Sequence, residues 1–96
     1  MNTAEIIDIL RDFKTNFAEK YGIKMLGIFG SFARKQQKAT SDLDVVVVLQ
    51  ESDFFTLVQI QEELEKLTRY KVDVVNFRDS LRDSFKVNIM KDAIFV

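Results

Sequence analysis

Four consecutive valines, Val45 to Val48, sit between Leu43 and Leu49. Branching at Cβ makes such a run poor helix material and suits a strand buried on both faces. The segment 43–49 therefore predicts a buried strand, and the elements around it suggest a sheet with helices packed against it. The acids at its entrance, Asp42 and Asp44, are the second constraint, because carboxylates at the mouth of an apolar strand need a reason to be there.

The remaining chain supplies the helices and further strands. Residues Thr3 to Tyr21 carry Ile6, Ile7, Leu10, Phe13 and Phe17 at three- and four-residue spacing, an amphipathic helix that Thr3 can cap and Gly22 can stop. Lys24 to Phe29 reads as a short strand, Phe32 to Arg34 as the start of a short helix, and Lys35 to Ser41 as a polar loop. Ser52 or Asp53 can cap a second long helix with Leu57, Ile60, Leu64 and Leu67 as its buried stripe. Lys71 to Phe77 reads as a third strand. Asp79 or Ser80 can cap a last helix with Leu81, Phe85, Ile89 and Met90 inward, and Ala93 to Val96 form a final short strand or a frayed tail. This order predicts an α/β (α+β) fold, a small mixed sheet with helices packed on it, as one domain over residues 1–96. The first two strands are close enough in sequence to pair either parallel or antiparallel.

Composition narrows the chemistry. With no Cys and no His in the 96 residues, thiolate or imidazole metal sites, disulfides and His-based catalysis are excluded. Any metal must sit on oxygen, which favours hard ions, and any general base is a carboxylate. Lys and Arg number 14 against 15 Asp and Glu, a net charge of −1, which argues against dedicated nucleic-acid binding. The charged first helix is no signal peptide, and the apolar run is far short of the ~20 residues of a bilayer span. The expected location is the cytoplasm, with no membrane partner.

Three acids and a Gly-Ser pair form the candidate site. Side chains of Asp42 and Asp44, at i and i+2, share one face of a strand with Cα atoms roughly 6.5–7 Å apart. Two such carboxylates repel unless a cation lies between them. Asp73 lies between Val72 and Val74 in another strand. Taken singly, Asp42 also reads as a turn residue and Asp73 as a solvent-facing edge residue. Gly30-Ser31 closes a strand and opens a helix, where glycine allows close approach of a phosphate, serine offers a hydroxyl and backbone N–H groups favour an anion. Alone, a Gly-Ser pair is an ordinary turn. Joined to a pair of carboxylates, it suits phosphoryl or nucleotidyl transfer.

Gly30-Ser31, ten intervening residues (32–41) and Asp42-Leu43-Asp44 resemble the signature of the DNA polymerase β-like nucleotidyltransferases. Residues 27–49 are similar to the core of the minimal nucleotidyltransferases (MNT proteins), and Asp73 matches the place of that family's third carboxylate. The resemblance implies that Asp42, Asp44 and Asp73 bind metal, two Mg²⁺ ions being expected. Asp73 would also help take a proton from the attacking hydroxyl. Gly30, Ser31 and Arg34 would bind the nucleotide, ATP. Arg34 otherwise reads as a solvated helix residue, as Lys35 and Lys38 do more strongly. One departure is Lys35, where the family often has glycine after Ala-Arg, and this changes the turn that follows the short helix.

The resemblance further implies a partner. Minimal nucleotidyltransferases pair with helical HEPN proteins in toxin–antitoxin modules, so the expected function is a Mg²⁺-dependent antitoxin in a hetero-oligomer. It would transfer AMP from ATP to a tyrosine hydroxyl of a HEPN RNase toxin. A chain of this length leaves little beyond a catalytic core, which fits an acceptor supplied by another macromolecule. Two other readings are an antitoxin that works by binding alone and a transferase acting on an aminoglycoside-type small molecule. Nine Phe residues serve the core or a partner surface, with Phe54, Phe55 and Phe95 the candidates for exposure.

Overall fold

The valine strand becomes the second of four strands in one mixed sheet of order β3-β2-β1-β4. The computed structural model describes residues 1–51, 53–78 and 81–96. Along the chain the elements are α1 (Thr3–Tyr21), β1 (Ile23–Phe29), α2 (Gly30–Ala33), β2 (Leu43–Leu49), α3 (Phe54–Thr68), β3 (Val72–Asn76), α4 (Asp83–Asp92) and β4 (Ile94–Phe95). β1 pairs antiparallel with both β2 and β4, and β2 pairs parallel with β3 through the α3 crossover. The open question of how the first two strands pair is thus resolved as antiparallel.

Alternation along β2 explains the layering. Leu43, Val45, Val47 and Leu49 point into the main core with Ile6, Leu10 and Phe13 of α1 and Ile60 and Leu64 of α3. Asp42, Asp44 and Val46 therefore belong to the opposite face, where Val46 is buried but outside that cluster. On β1 a bulge keeps the apolar side inward. Ile23 pairs with Leu49 and Met25 with Val48, so Lys24 is the extra residue, and Ile23, Leu26 and Ile28 all reach the core. Gly27 is required because a Cβ there would stand 2.5 Å from the Ile94 carbonyl oxygen, so only glycine lets β4 lie this close.

Several sequence expectations need correction. Thr3 is the first helical residue and not the cap: Asn2 accepts from the Glu5 amide at 2.8 Å, and the Glu5 carboxylate accepts from the Asn2 amide at 3.2 Å. The Thr3 hydroxyl is used elsewhere, donating to the Phe32 carbonyl at 2.7 Å in a buried bond. Gly22 does end α1 in the left-handed conformation, with φ of 67°. Asp53 caps α3; Ser52 lies outside the described residues. In α3 the buried line is Ile60, Leu64 and Thr68, with Leu57 partly buried against the core, and Leu67 is 47% exposed. A straight i, i+4 row reaches Thr68, whose hydroxyl is satisfied by the Leu64 carbonyl at 2.8 Å, and this row leaves Leu67 on the flank.

For the last helix, Asp79 and Ser80 lie outside the described residues, and Arg82 holds the cap position without a side-chain hydrogen bond. Only Ile89 of the four inward candidates is buried. Leu81 is half-buried, and Phe85 and Met90 are exposed. α4 lies apart from the α1 and α3 layer, against β1 and α2, and has less sheet to cover. Among the described residues no helix is long and apolar enough to cross a membrane.

Candidate active site

The end of β1, the start of β2 and the start of β3 meet in one row. Phe29 pairs with Asp44, and Asp44 with Asp73. This follows from the topology: antiparallel β1 delivers its C-terminal end to the N-terminal end of β2, and the parallel crossover returns β3 in the same sense. Gly30 leaves this row with φ of 71°, a conformation glycine adopts without strain. A Cβ at Gly30 would collide with the Asp44 carboxylate oxygen, so glycine brings the turn against the acid.

The turn is anchored from below. Phe32 is fully buried and meets Tyr70 edge to face, with ring centroids 5.0 Å apart. Its carbonyl is held by Thr3, so α1, β1 and the segment before β3 fix the single helical turn α2. Ser31 is half-exposed, and among the described residues its hydroxyl has no side-chain hydrogen bond. The backbone after α2 is fastened by the Gln36 amide donating to the Ser31 carbonyl at 2.8 Å. Lys35 takes a left-handed φ of 59°, so this lysine adopts the backbone shape that the expected glycine would have taken freely. Lys35 and Lys38 are both exposed.

Asp44 is half-buried, whereas Asp42 and Asp73 are exposed. Burial pushes the Asp44 carboxyl above its ordinary range; the negative charges of Asp73 and Asp42 push the same way and Arg34 opposes them. Asp44, Asp73, Asp42 and Arg34 thus share one electrostatic neighbourhood. Arg34 is already engaged, its guanidinium lying 3.2 Å from Asp92 at the end of α4 and 3.4 Å from the Gln36 side chain.

The donor set fits a hard divalent cation in kind, since it consists of carboxylate oxygens whose mutual repulsion a cation relieves. Among the described residues, no three acidic side chains stand together as a ready-made ligand group. The sequence-predicted residues Gly30, Ser31, Arg34, Asp42, Asp44 and Asp73 thus gather at one end of the sheet. Asp92 was missed by sequence reasoning, because an acid at a helix end carries no signal of an arginine far upstream. A cavity of about 350 Å³ adjoins the site, lined by Gly30, Arg34 and Asp92 together with Phe29, Phe85 and Asn88.

Residues 11–96 match the family model described as Polymerase beta, Nucleotidyltransferase. The chain belongs to the polymerase β nucleotidyltransferase family. It is 36% identical over 95 residues to a protein named as a protein adenylyltransferase of Methanocaldococcus jannaschii, covering 97% of this chain and 96% of that one. With protein adenylyltransferase MntA of Thermococcus cleftensis it shares 30% identity over 93 residues, covering 96% and 93%. Its fold resembles a solved minimal nucleotidyltransferase, with a TM-score of 0.79, 25% identity and coverage of 98% and 95%. It also resembles a chain in the complex of a tri-AMPylated Shewanella oneidensis HEPN toxin with an MNT antitoxin, with a TM-score of 0.61, 20% identity and coverage of 98% and 67%. This nucleotidyltransferase fold is the small mixed sheet with helices expected from the sequence.

Proposed function

We propose that this nucleotidyltransferase is a Mg²⁺-dependent antitoxin. In this reading, residues 1–96 act as one catalytic domain that transfers AMP from ATP to a tyrosine hydroxyl of a HEPN-type RNase toxin and so neutralises it. The observation that carries the reading is the row Phe29–Asp44–Asp73 with Gly30 turned directly against Asp44. It joins a phosphate-accommodating turn to paired carboxylates, and the adenylyltransferase names of the relatives and the AMPylated toxin complex support the acceptor.

In this scheme Gly30 and Ser31 receive the outer phosphates of ATP, with the Ser31 hydroxyl as a donor. Arg34 turns from Asp92 to the phosphates and offsets their charge. Asp42, Asp44 and Asp73 would hold the divalent ions, which when bound polarise phosphate oxygens and offset developing charge. The tyrosine oxygen forms a bond to the α-phosphorus while the bond to the bridging oxygen breaks and pyrophosphate leaves. Asp73, exposed at the edge of the row, accepts the tyrosine proton.

Neutralisation by binding alone is favoured by one feature, the exposed ring pair Phe54 and Phe55, 73% and 77% accessible at the start of α3. Phe95 does not join them, because it is half-buried and paired with Gly27 in the sheet. Co-expression with the product of the neighbouring gene, followed by intact mass measurement of that partner, separates the readings. AMP-sized increments that vanish with the Asp42→Asn/Asp44→Asn double variant support transfer. A tightly bound but unmodified partner supports occlusion, and neither binding nor modification points to a small-molecule acceptor.

A further inference from the structure

The geometry points to the face of α4 formed by Phe85, Asn88 and Ile89 as the seat of the nucleotide's base, with Asn88 selecting adenine over guanine. The inference rests on the nucleotidyltransferase reading of Gly30 and Ser31 and adds the element that reads the base.

Phe85, Asn88, Ile89 and Asp92 fall at i, i+3, i+4 and i+7, so they share one helix face. That face forms a wall of the cavity of about 350 Å³ whose opposite side is Phe29, Gly30 and Arg34. The cavity thus begins at the glycine that abuts Asp44 and ends on a helix that otherwise has little to bury. Its chemistry is graded. Ile89 is a buried apolar floor, and Phe85 is an aromatic ring left 41% exposed. Asn88 is exposed and has no hydrogen-bond partner among the described residues. A flat, apolar-faced ring with a polar edge suits this combination: Phe85 offers a stacking surface, and the Asn88 amide offers a donor beside an acceptor. On its N6/N7 edge adenine presents an amino donor next to a ring-nitrogen acceptor, which matches that pair, whereas guanine presents two acceptors there, O6 and N7, so one of the two bonds is lost.

Two further cavities among the described residues do not compete. One, about 290 Å³, lies among Glu19, Lys20, Gln50, Glu51 and Thr56, at the end of the sheet away from Gly30. The other, about 300 Å³, is bounded by Asn2, Thr3, Ala4, Lys35 and Gln37 and includes none of the acids.

The test measures direct binding of ATP, GTP and inorganic tripolyphosphate, with Mg²⁺ present, to the full chain and to Phe85→Ala and Asn88→Ala. Both side chains are exposed, and unchanged melting temperatures confirm that the variants fold. The expected result is that Phe85→Ala weakens both nucleotides about tenfold, the scale of one lost base–aromatic stack. Asn88→Ala should weaken ATP about tenfold and GTP by less than about twofold, erasing the preference for ATP. Tripolyphosphate should bind all three proteins alike. If tripolyphosphate binds and ATP affinity is the same in every variant, the base lies elsewhere and the inference is overturned while the phosphate site stands. If the unaltered chain binds neither tripolyphosphate nor ATP, both the inference and the reading beneath it fail.

Discussion

The Asp44 carboxylate occupies the space that a Cβ on Gly30 would need. Because Gly30 also has φ of 71°, any side chain there meets both a strained backbone and a collision with the acid. Gly30→Ala should therefore lower stability by about 1–3 kcal/mol, the cost of a left-handed non-glycine position with a displaced neighbour. It should also reduce transfer at least about a hundredfold, because the acid moves. Urea unfolding and AMP incorporation measured on the same preparation check both. Full activity in a folded Gly30→Ala protein would show that close approach to Asp44 is unnecessary.

Asp44 also sets a pH dependence. Its carboxyl is held above the ordinary value of 3.8 by burial first, then by Asp73 and Asp42, against the opposing pull of Arg34. A raised folded pKa means that the fold binds this proton more tightly than the unfolded chain does. The associated stability is present below the ordinary value and is lost as pH rises through the folded value. Above that window, without divalent ions, Asp44→Asn should melt higher than the unaltered chain, and the gap should close as pH falls toward 3.8. Mg²⁺ should raise the melting temperature of the unaltered chain and leave Asp44→Asn nearly unmoved. Melting curves across pH, with and without Mg²⁺, test this, and a variant that melts lower at every pH would contradict it.

What the sequence made legible followed from local rules. The valine run, the i, i+2 acids, the Gly-Ser turn and the Gly22 stop each depend on residues within a few positions, and each appears in place. What was not legible depends on distant neighbours. Thr3 looked like a cap, but its hydroxyl is claimed by a carbonyl 29 residues away. Leu67 and Met90 fit helical periodicity, yet which flank a helix presents depends on the sheet beneath it. The Arg34–Asp92 pair spans 58 residues and joins two helices whose proximity no local pattern encodes.

Lys35 allows a test of stability separate from chemistry. It holds φ of 59° at the end of α2, where glycine would be unstrained. A left-handed lysine costs about 1–2 kcal/mol, and glycine returns part of that through its freer unfolded chain. Lys35→Gly should stabilise the protein by up to about 1 kcal/mol, and AMP transfer should change less than twofold if this lysine is only a turn residue. A clear loss of ATP affinity in the stabilised variant would instead place the Lys35 charge in nucleotide binding.

The bond from Thr3 to Phe32 ties the first turn of α1 to the phosphate turn. Thr3→Val keeps the shape but removes the hydroxyl's bond to the Phe32 carbonyl, which keeps the Lys35 amide at 3.2 Å, at a cost of about 0.5–1.5 kcal/mol. Asn2→Ala, by contrast, removes only the cap, at about 1 kcal/mol. Both should destabilise, but only Thr3→Val should loosen α2 and raise the ATP KM. Hydrogen exchange at Gln36, whose amide closes the turn on Ser31, reports on that loosening. Equal exchange in the two variants would show that α2 is held without Thr3.

Arg34 lies between two anions: Asp92, 3.2 Å away, and the phosphates that the site would receive. Its pair with Asp92 is exposed, and such pairs contribute only ~0–1 kcal/mol, so a triphosphate can draw the guanidinium away. Arg34→Ala should raise the ATP KM about tenfold, the scale of one lost charge-assisted hydrogen bond. Asp92→Asn should leave the melting temperature almost unchanged and, by freeing Arg34, tighten ATP by up to about fivefold. The double variant separates a shared pathway from two independent effects. If Asp92 acts only through Arg34, Asp92→Asn has no effect once Arg34 is alanine. A KM unmoved by Arg34→Ala would leave the guanidinium as a clasp between α2 and α4 and assign the phosphates to Gly30 and Ser31 alone.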